Sequence, residues 1–391
     1  MAKGDKSSIA ILHHLRWISA LLVGYSHIRQ NLLLDYADLR YPGILDKAIF
    51  AFANFGHAGV IIFFVLSGYL VGGKAVALFQ LEAIATEWPH FLADRFSRIF
   101  VVLLPTLLLC FLLLLFLRIE APNAVFMKSG HWGWAMKYAI DGDFSLFRWL
   151  NAICLLNELN ASTLYIDSPL WSLTYEWFYY MAALGVVLAL RKVLSPASLL
   201  IMGYAAALFA WALISNREIL FLGLVWSMGA VANIAFKQRV LEHPALQKLG
   251  IFLVLGLLVI VRFMSLNDLL LGAAVAFMIA HRNWAEWRGG EHWGKKLAAF
   301  SYSFYLVHFP ITILVLGFLY RFDHLRHRLP LDAKGIGIAF ATLVGAIVFA
   351  RIFACLTEDR TRAVRNLLWR PAARLPNPLP PNATNERIQK A

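Results

Sequence analysis

The sequence predicts an all-α, polytopic integral membrane protein with about ten transmembrane helices and both termini in the cytoplasm. Of its 391 residues, 60% are hydrophobic and only 15% are charged, a balance that soluble globular domains do not show. Apolar runs such as 101–117 and 251–261 lie within segments of about 20 residues, the length that a helix needs to cross the bilayer. These runs do not alternate between apolar and polar residues, so a β-barrel is excluded.

Ten segments can be assigned as spans, and their bounds fix the predicted topology. They cover 12–34, 55–73, 98–117, 169–190, 197–214, 218–236, 249–265, 267–281, 297–319 and 335–356. An even number of spans puts both termini on one side. With the N-terminus inside, cytoplasmic segments contain 23 of the 36 Lys and Arg. The positive-inside rule therefore predicts cytoplasmic termini and a multi-pass protein of the cytoplasmic, or inner, membrane.

The spans indicate one transmembrane domain, 9–358, and a basic, Pro-rich tail, 359–391. The tail is predicted to be disordered in the cytoplasm. The longest interruption between spans, 118–168, lies outside in this topology. It contains an aromatic, half-polar stretch, 144–159, which is predicted to be an interfacial amphipathic helix. Such a helix would serve as a cap over the bundle or as a binding platform.

The formal net charge of +13 would suggest nucleic acid as a partner in a soluble protein. Here the topology accounts for it, so we expect the lipid bilayer and no nucleic acid as a partner. Cys110, Cys154 and Cys355 lie in or beside apolar segments without CxxC spacing. The sequence therefore predicts neither a disulfide framework nor a bound metal.

Arg16 and His27 form the most informative pair of ionisable residues in the first span. Ionisable groups at membrane depth are costly and are functional candidates by default. Eleven residues bring the two side chains back to one helix face, about 16 Å apart along the axis. A long, thin ligand with a phosphorylated head and a reactive tip would fit between them. The alternative is an arginine that extends to the surface and a histidine that bonds a neighbouring helix.

Glu176 in the fourth span, within SPLWSLTYEWFYY, is predicted to lie at a depth similar to that of His27. A carboxylate at this depth could orient the imidazole and raise its basicity, so the two residues are the candidate catalytic dyad. Tyr175 beside Glu176 is a candidate cavity-lining residue. The aromatic residues around it are alternatively interface anchors or a stacking platform for a sugar.

Arg95 and Arg98 lie one helical turn apart, on one face, just before the third span. Together with Arg16 they would make a basic cytoplasmic mouth that binds phosphate. An ordinary positive-inside anchor is the alternative interpretation.

Small and polar residues in two other spans are candidate cavity-lining residues. The second span carries Ser67 among several glycines, which permit close helix packing or leave room for a ligand. In the ninth span Ser301, Tyr305 and His308 form one polar stripe on an apolar helix. The stripe would line a cavity or form interhelical hydrogen bonds.

Taken together, these motifs resemble the membrane-bound acyltransferase-3 family, ten-span enzymes that O-acylate bacterial surface and exported glycans and some small glycosides. The resemblance covers the chain from about Leu12 to Leu316. It rests on Arg16 with ten residues before His27, and on FGHAGVIIFFVLSGYL, DRFSRI, WSLTYEWFYY and SYSFYLVHFP in this order.

The resemblance implies acyl-CoA, usually acetyl-CoA, as the donor co-substrate, no metal, and a glycan or glycoside as the acceptor. Arg16 and His27 match the essential pair of the first span, and Arg95 and Arg98 match the basic motif. Glu176 and His308 match further motif positions. Some members carry an extracytoplasmic domain that hands the acyl group on; we expect this chain to acylate the acceptor itself or to pass the group to a separate protein on the acceptor side.

The sequence leaves two routes open for His27, and it leaves rival functions. The imidazole would act as a general base on the acceptor hydroxyl, or it would carry the acyl group covalently. A secondary transporter or flippase for a lipid-linked sugar would also use intramembrane His and Glu, although no paired broken segments are visible. A membrane sensor with a degenerate site is the third interpretation.

Overall fold

The computed structural model describes residues 10–39, 41–120, 143–260, 267–323 and 328–368. Within these ranges the chain is helical and forms no β-strand; two isolated bridge pairs, Leu33–Leu329 and Asn157–Ala161, are the only extended pairings there. A backbone in hydrocarbon must bond its own polar groups, and helices do so within one segment. The predicted all-α class is confirmed.

Fifteen α-helices are numbered here in chain order. They run Ala10–Leu32 (α1), Ile44–Ala53 (α2), Phe55–Ser67 (α3), Gly73–Gln80 (α4), Ile84–Glu120 (α5), Leu146–Ile153 (α6), Trp171–Leu190 (α7), Pro196–Ser215 (α8), Glu218–Lys237 (α9), Pro244–Ile260 (α10), Asn267–Ile279 (α11), Glu291–Ala298 (α12), Ser301–Asp323 (α13), Ala333–Leu356 (α14) and Thr361–Leu368 (α15). A π-helical turn, Gly68–Gly72, joins α3 to α4, and 3₁₀ turns run Tyr36–Asp38, Tyr165–Leu170, Arg282–Ala285 and Glu358–Arg360.

Each predicted span falls on a helix, but not every one has the length and apolarity of a membrane-crossing helix. In the described part of the chain, seven helical stretches have both: Ile44–Gln80, Ile84–Glu120, Tyr165–Leu190, Pro196–Ser215, Glu218–Lys237, Ser301–Phe322 and Ala333–Leu367. Helix α1 has 23 residues, but its arginines and histidines reduce its apolarity. The described parts of α10 and α11 are shorter, and residues 261–266 of the predicted seventh span lie outside the description. The orientation of the bundle in the membrane stays a prediction.

Helix α1 occupies the centre of the bundle, where it packs against α3, α13 and α14. Its contact with α3 is close because Gly56 and Gly59 lack a Cβ: one added at Gly59 would stand 2.8 Å from the Ser19 carbonyl oxygen. Small residues at helix crossings let two backbones approach in this way. Residues on one face of α1 are therefore held against α3 and α13.

The π-helical turn is fixed by a similarly close contact with α9. A Cβ added at Gly68 would stand 1.8 Å from the carbonyl oxygen of Trp226, and one added at Gly229 would stand 2.0 Å from that of Val65. A π-turn inserts one residue into the helix and often accompanies a functional site. Here it directly follows Ser67 and precedes Lys74.

Gly68→Ala is expected to destabilise the protein by about 1–3 kcal/mol, because the methyl group overlaps backbone that cannot yield. Thermal unfolding of the purified protein in detergent would measure the loss. Gly203→Ala on α8 is the matched control, since an added Cβ there meets no atom within 4 Å; it should be neutral or slightly stabilising. Equal melting temperatures for the two variants would contradict the close contact.

Several segments outside the predicted spans also contain helices, and two of them bear on the predictions. The stretch 144–159 contains α6, whose apolar Leu146, Phe147 and Leu150 are exposed, as expected for an interfacial helix. The folded part of the chain also extends beyond the predicted domain boundary at 358, because α15 packs against α5. The remainder of the predicted tail, 369–391, lies outside the described residues.

Candidate active site

One cavity lies between α1, α3, α5, α7 and α13. It consists of two pockets with about 630 Å³ and about 670 Å³ of empty space. Arg16, Ser67 and Glu176 line both pockets, so the two are continuous. The first pocket, which reaches further into the bundle towards α13, is called the inner pocket below, and the second is called the basic pocket.

Four cationic side chains line the basic pocket: Arg16, Lys74, Arg95 and Arg98. Arg16 lies in the second turn of α1, Lys74 is the second residue of α4, and Arg95 and Arg98 lie in the first half of α5. The fold brings the four side chains together around this pocket. Neither Arg95 nor Arg98 has a carboxylate ion-pair partner among the described residues. The Nε of Arg95 is buried without a hydrogen-bond acceptor. A buried N–H group without an acceptor favours binding of an anionic ligand. A guanidinium can bind a phosphate through two parallel hydrogen bonds.

Arg16 is the one cation of this pocket that has a carboxylate partner within the described ranges. Its Nη2 lies 3.6 Å from Oε1 of Glu358, and the two side chains are 20% and 15% exposed. Glu358 is in turn held by Ser303, whose backbone N–H and hydroxyl donate to Oε2 at 3.1 and 3.0 Å. Arg16 therefore has a fixed position at the opening of the cavity.

The walls of the inner pocket are largely apolar, formed by Val60, Phe63, Phe64 and Leu173 among others. Such a surface suits an uncharged arm or acyl chain.

Glu176 is the carboxylate in this pocket, and its position is set by hydrogen bonds from α3 and from its own helix. Ser67 Oγ donates to Glu176 Oε1 at 2.9 Å, and the Tyr180 hydroxyl donates to the same oxygen. Trp226 Nε1 donates to Ser67 Oγ at 3.1 Å. The carboxylate is thus stabilised by neighbouring donors.

His27 and His308 form a pair deeper in the bundle. Nδ1 of His27 lies 2.9 Å from Nε2 of His308, and the two rings are parallel to within 2°. Nδ1 of His308 lies 3.2 Å from the carbonyl oxygen of Phe304, which can only accept a hydrogen bond. With both rings neutral, His308 Nδ1 must carry the proton, and His308 Nε2 must accept from His27 Nδ1.

This arrangement leaves Nε2 of His27 without a proton. Nε2 of His27 has no hydrogen-bond partner among the described residues; the contacts of His27 there are made by Nδ1, the backbone oxygen and the ring. A histidine in this tautomer has a free lone pair at Nε2, which is the property required of a general base or a nucleophile. The chemistry that the geometry supports is therefore abstraction of a proton or attack at a carbonyl.

Tyr305 lies at the boundary between the cavity and the histidine pair. Its side chain lines the inner pocket, and its ring centre is 5.9 Å from that of His308, one helical turn further along α13. The Tyr305 hydroxyl lies 2.6 Å from Ser172 Oγ and donates to the Pro169 carbonyl oxygen at 3.3 Å. The cavity therefore ends about one turn short of His308.

A family model described as an acyltransferase domain, that of the acyltransferase-3 family, matches residues 9–355 of this chain. The chain belongs to the acyltransferase-3 family. No curated protein and no solved structure gives a significant match. The apolar helices and the family together indicate a multi-pass membrane acyltransferase.

Most of the residues predicted to line the site of this acyltransferase do lie together. Arg16, Arg98, Ser67, Glu176, Ser301 and Tyr305 line the inner pocket, and Arg95 lines the basic pocket. Tyr175 does not belong with them. It is buried, and its hydroxyl accepts from Asn216 Nδ2 at 2.7 Å. The prediction that Tyr175 lines the cavity is wrong, because this side chain lies on a different face of α7 from Glu176.

The predicted contact between His27 and Glu176 is also wrong. Glu176 is bonded by Ser67 and Tyr180, and His27 is bonded by His308. The reason is that α13, not α7, packs closely against α1 at the level of His27. For His308 the sequence predicts a cavity-lining position or an interhelical hydrogen bond. The side chain is fully buried and makes the interhelical bond, with Nδ1 of His27.

Four residues of the acyltransferase site were missed by sequence reasoning: Lys74, Tyr180, Trp226 and Glu358. Tyr180 could have been found, since it lies four residues after Glu176 and so shares its helix face. The sequence indicates Lys74 only as one of the cytoplasmic positive charges that predict the topology. Glu358 and Trp226 carry no local signal, because their contacts are made across the bundle.

Proposed function

We propose that this acyltransferase transfers an acyl group, in the simplest case acetyl, from cytoplasmic acyl-CoA to a hydroxyl of a surface or exported glycan or glycoside. His27 is the proposed catalytic residue. Arg16, Arg95 and Arg98 are the proposed acyl-CoA-binding residues, and Lys74 is added to them. The observation that carries the proposal is the hydrogen-bond relay from His27 through His308 to the Phe304 carbonyl, because it leaves Nε2 of His27 able to accept a proton.

The division of the cavity supports acyl-CoA as the donor. The phosphates of CoA are strongly anionic, and four cations line the basic pocket. The pantetheine arm is uncharged and flexible, which suits the mainly apolar inner pocket. Glu176 is assigned to binding rather than catalysis in this scheme: its carboxylate would accept a hydrogen bond from an amide N–H of the pantetheine arm. The thioester would then lie next to Tyr305.

The reaction needs a path past Tyr305. Displacement of its ring would bring the thioester to His27, since only one helical turn separates Tyr305 from His308. Nε2 of His27 then takes the proton of the acceptor hydroxyl as its oxygen attacks the thioester carbonyl, the C–S bond breaks, and the thiolate of CoA takes up the proton. In the carrier route, Nε2 itself attacks the thioester carbonyl, the C–S bond breaks, and CoA leaves as the thiolate. The acceptor hydroxyl then attacks the acyl group on Nε2, the N–C bond breaks, and the hydroxyl proton passes to the thiolate.

The test is an acyl-transfer assay with the purified protein in nanodiscs, labelled acetyl-CoA, and glycans extracted from the surface of the source cells. We expect the label to appear on the glycan as a base-labile ester, with release of one CoA per ester. Surface carbohydrate from cells that lack the protein should lose the same ester. Transport of a lipid-linked sugar without any acyl-CoA-dependent gain in mass would instead support a transporter and refute this function.

Arg98→Ala should raise the KM for acetyl-CoA by roughly ten- to hundredfold, because a charge-assisted bond to phosphate is lost. The kcat should change little, since Arg98 lines the cavity and His27 does not. Steady-state kinetics over a range of acetyl-CoA concentrations would measure both constants. Arg191→Ala is the control, because Arg191 is exposed and bonds the Phe79 carbonyl oxygen outside the cavity. A loss in kcat at unchanged KM would contradict the binding role.

A further inference from the structure

The segment that follows α14 holds both arginine-bearing helices of the cavity. Helix α14 ends at Leu356, and Thr357 breaks the helix with φ −124° and ψ −83°. The chain then forms the 3₁₀ turn at Glu358 and the helix α15, which packs against α5. We call residues 358–368 the C-terminal strap. It lies beyond residue 355, where the match to the family ends.

Two ion pairs join the strap to the cavity. Glu358 pairs with Arg16 of α1 at 3.6 Å, and Arg365 pairs with Asp94 of α5 at 2.8 Å. Asp94 directly precedes Arg95 in the chain. The strap therefore contacts each of the two helices that supply the arginines of the basic pocket.

The first ion pair sets the direction of Arg16. Arg16 lines the same cavity as Glu176, so two carboxylates are available to its guanidinium. Glu358 is immobilised by two hydrogen bonds from Ser303, and the pair is largely shielded from solvent. Ion pairs that are partly buried are weakened less by water and salt than exposed ones. Glu358, rather than Glu176, is therefore the carboxylate that fixes the direction of the Arg16 guanidinium.

The second ion pair engages a carboxylate that could otherwise pair with the arginines of the basic pocket. Asp94 would be the nearest carboxylate in sequence to both Arg95 and Arg98, but it bonds Arg365 instead. Neither Arg95 nor Arg98 has a carboxylate partner among the residues described. Their charges thus stay available for an anion. The Arg365–Asp94 pair is more exposed, with side chains 41% and 31% accessible, so it should contribute less than Glu358.

We propose that the C-terminal strap is a positioning element of the acyl-CoA site, in which Glu358 orients Arg16 and Arg365 withdraws Asp94 from Arg95 and Arg98. This inference rests on the proposed function, since it assigns the arginines to the CoA phosphates. Glu358 and Arg365 are positioning residues and touch no reacting atom. The proposal gives a role to Arg365, which lies in the predicted disordered tail, and to Glu358, the last residue of the predicted transmembrane domain.

The experiment measures binding of CoA to the full-length protein in nanodiscs by calorimetry, together with KM and kcat for acetyl-CoA. Glu358→Gln should raise the Kd for CoA about tenfold, and Arg365→Gln about threefold, with kcat changed less than twofold. The exchanged pair Asp94→Arg with Arg365→Asp should restore binding towards the wild-type value. Arg321→Gln is the matched control, because Arg321 pairs with Glu120 at the C-terminal end of α5, 3.6 Å apart, and contacts neither the strap nor the arginines of the basic pocket.

Tighter or unchanged CoA binding in both Glu358→Gln and Arg365→Gln would overturn the proposal, since it would mean that the carboxylate merely competes with the ligand or does nothing. Melting temperatures show whether each variant is folded. If Glu358→Gln does not fold, Arg365→Gln and the exchanged pair still decide. A folded wild-type protein that binds no CoA would refute the proposed function itself, whereas wild-type binding with unaffected variants would refute only the role of the strap.

Discussion

Replacing His27 by alanine is expected to abolish acyl transfer while the fold and the binding of acyl-CoA are retained. A positioned general base contributes about a hundredfold to ten-thousandfold to the rate, and the carrier route has no alternative nucleophile at this place. His27 does not line the cavity that contains the arginines, so the KM for acetyl-CoA should stay within about twofold of the wild-type value. The loss of activity is measured as the rate at which the labelled ester forms under single-turnover conditions.

The control for this experiment is His292→Ala, because His292 is exposed on α12 and contacts only Trp293 in the described part of the chain. The same experiment distinguishes the general-base route from the covalent-carrier route. A labelled acyl group that stays on wild-type protein after CoA release, and not on His27→Ala, supports the carrier. Strict dependence of CoA release on acceptor supports the general base. Glycan acylation at the normal rate by His27→Ala would refute both.

Replacing His308 should reduce kcat by an amount that depends on whether the new side chain has a hydrogen-bond acceptor, and not on the size of that side chain. In His308→Phe no atom accepts from Nδ1 of His27, so the imidazole loses the bond that fixes its tautomer, and kcat should fall by roughly a hundredfold. In His308→Gln the side-chain carbonyl oxygen can take the place of Nε2. That variant should retain kcat within about tenfold of wild type, with KM for acetyl-CoA unchanged in both.

The measurement is kcat as a function of pH for the three proteins, because a purely structural role would not change the shape of the profile. His308→Gln should keep the wild-type profile at a lower plateau, and His308→Phe should alter its acidic limb. If the Phe variant is as active as the Gln variant, His308 only fills space and the relay has no catalytic role.

The sequence could predict the helices and most of the cavity, because both depend on local composition. Arg95 and Arg98 share a face whatever the fold, and the polar stripe of Ser301 and Tyr305 is a property of α13 alone. Counting residues from the ends of the spans predicts a similar depth for His27 and Glu176. Depth, however, does not give the rotation of a helix or its neighbours.

The errors have this single physical cause. His27 bonds His308 because Gly24 lets α1 approach α13 closely: a Cβ added there would stand 2.5 Å from the Phe304 ring. No pattern within either span specifies that pairing. Tyr175 and Glu176 are adjacent in sequence, yet they point in directions about 100° apart on α7. Glu358 and Arg365 follow the last apolar segment, where composition resembles that of a flexible tail.

The ring of Tyr305, held by Ser172 and Pro169, has a consequence for the cell as a whole. An enzyme that takes its donor from one compartment and its acceptor from another needs a route through the bilayer, and an unobstructed route would conduct protons and dissipate the electrochemical gradient. In the proposed function, the Tyr305 ring would close such a route between turnovers. Group transfer and electrical insulation would then coexist in one helical bundle, with the aromatic barrier moving only when the thioester is bound.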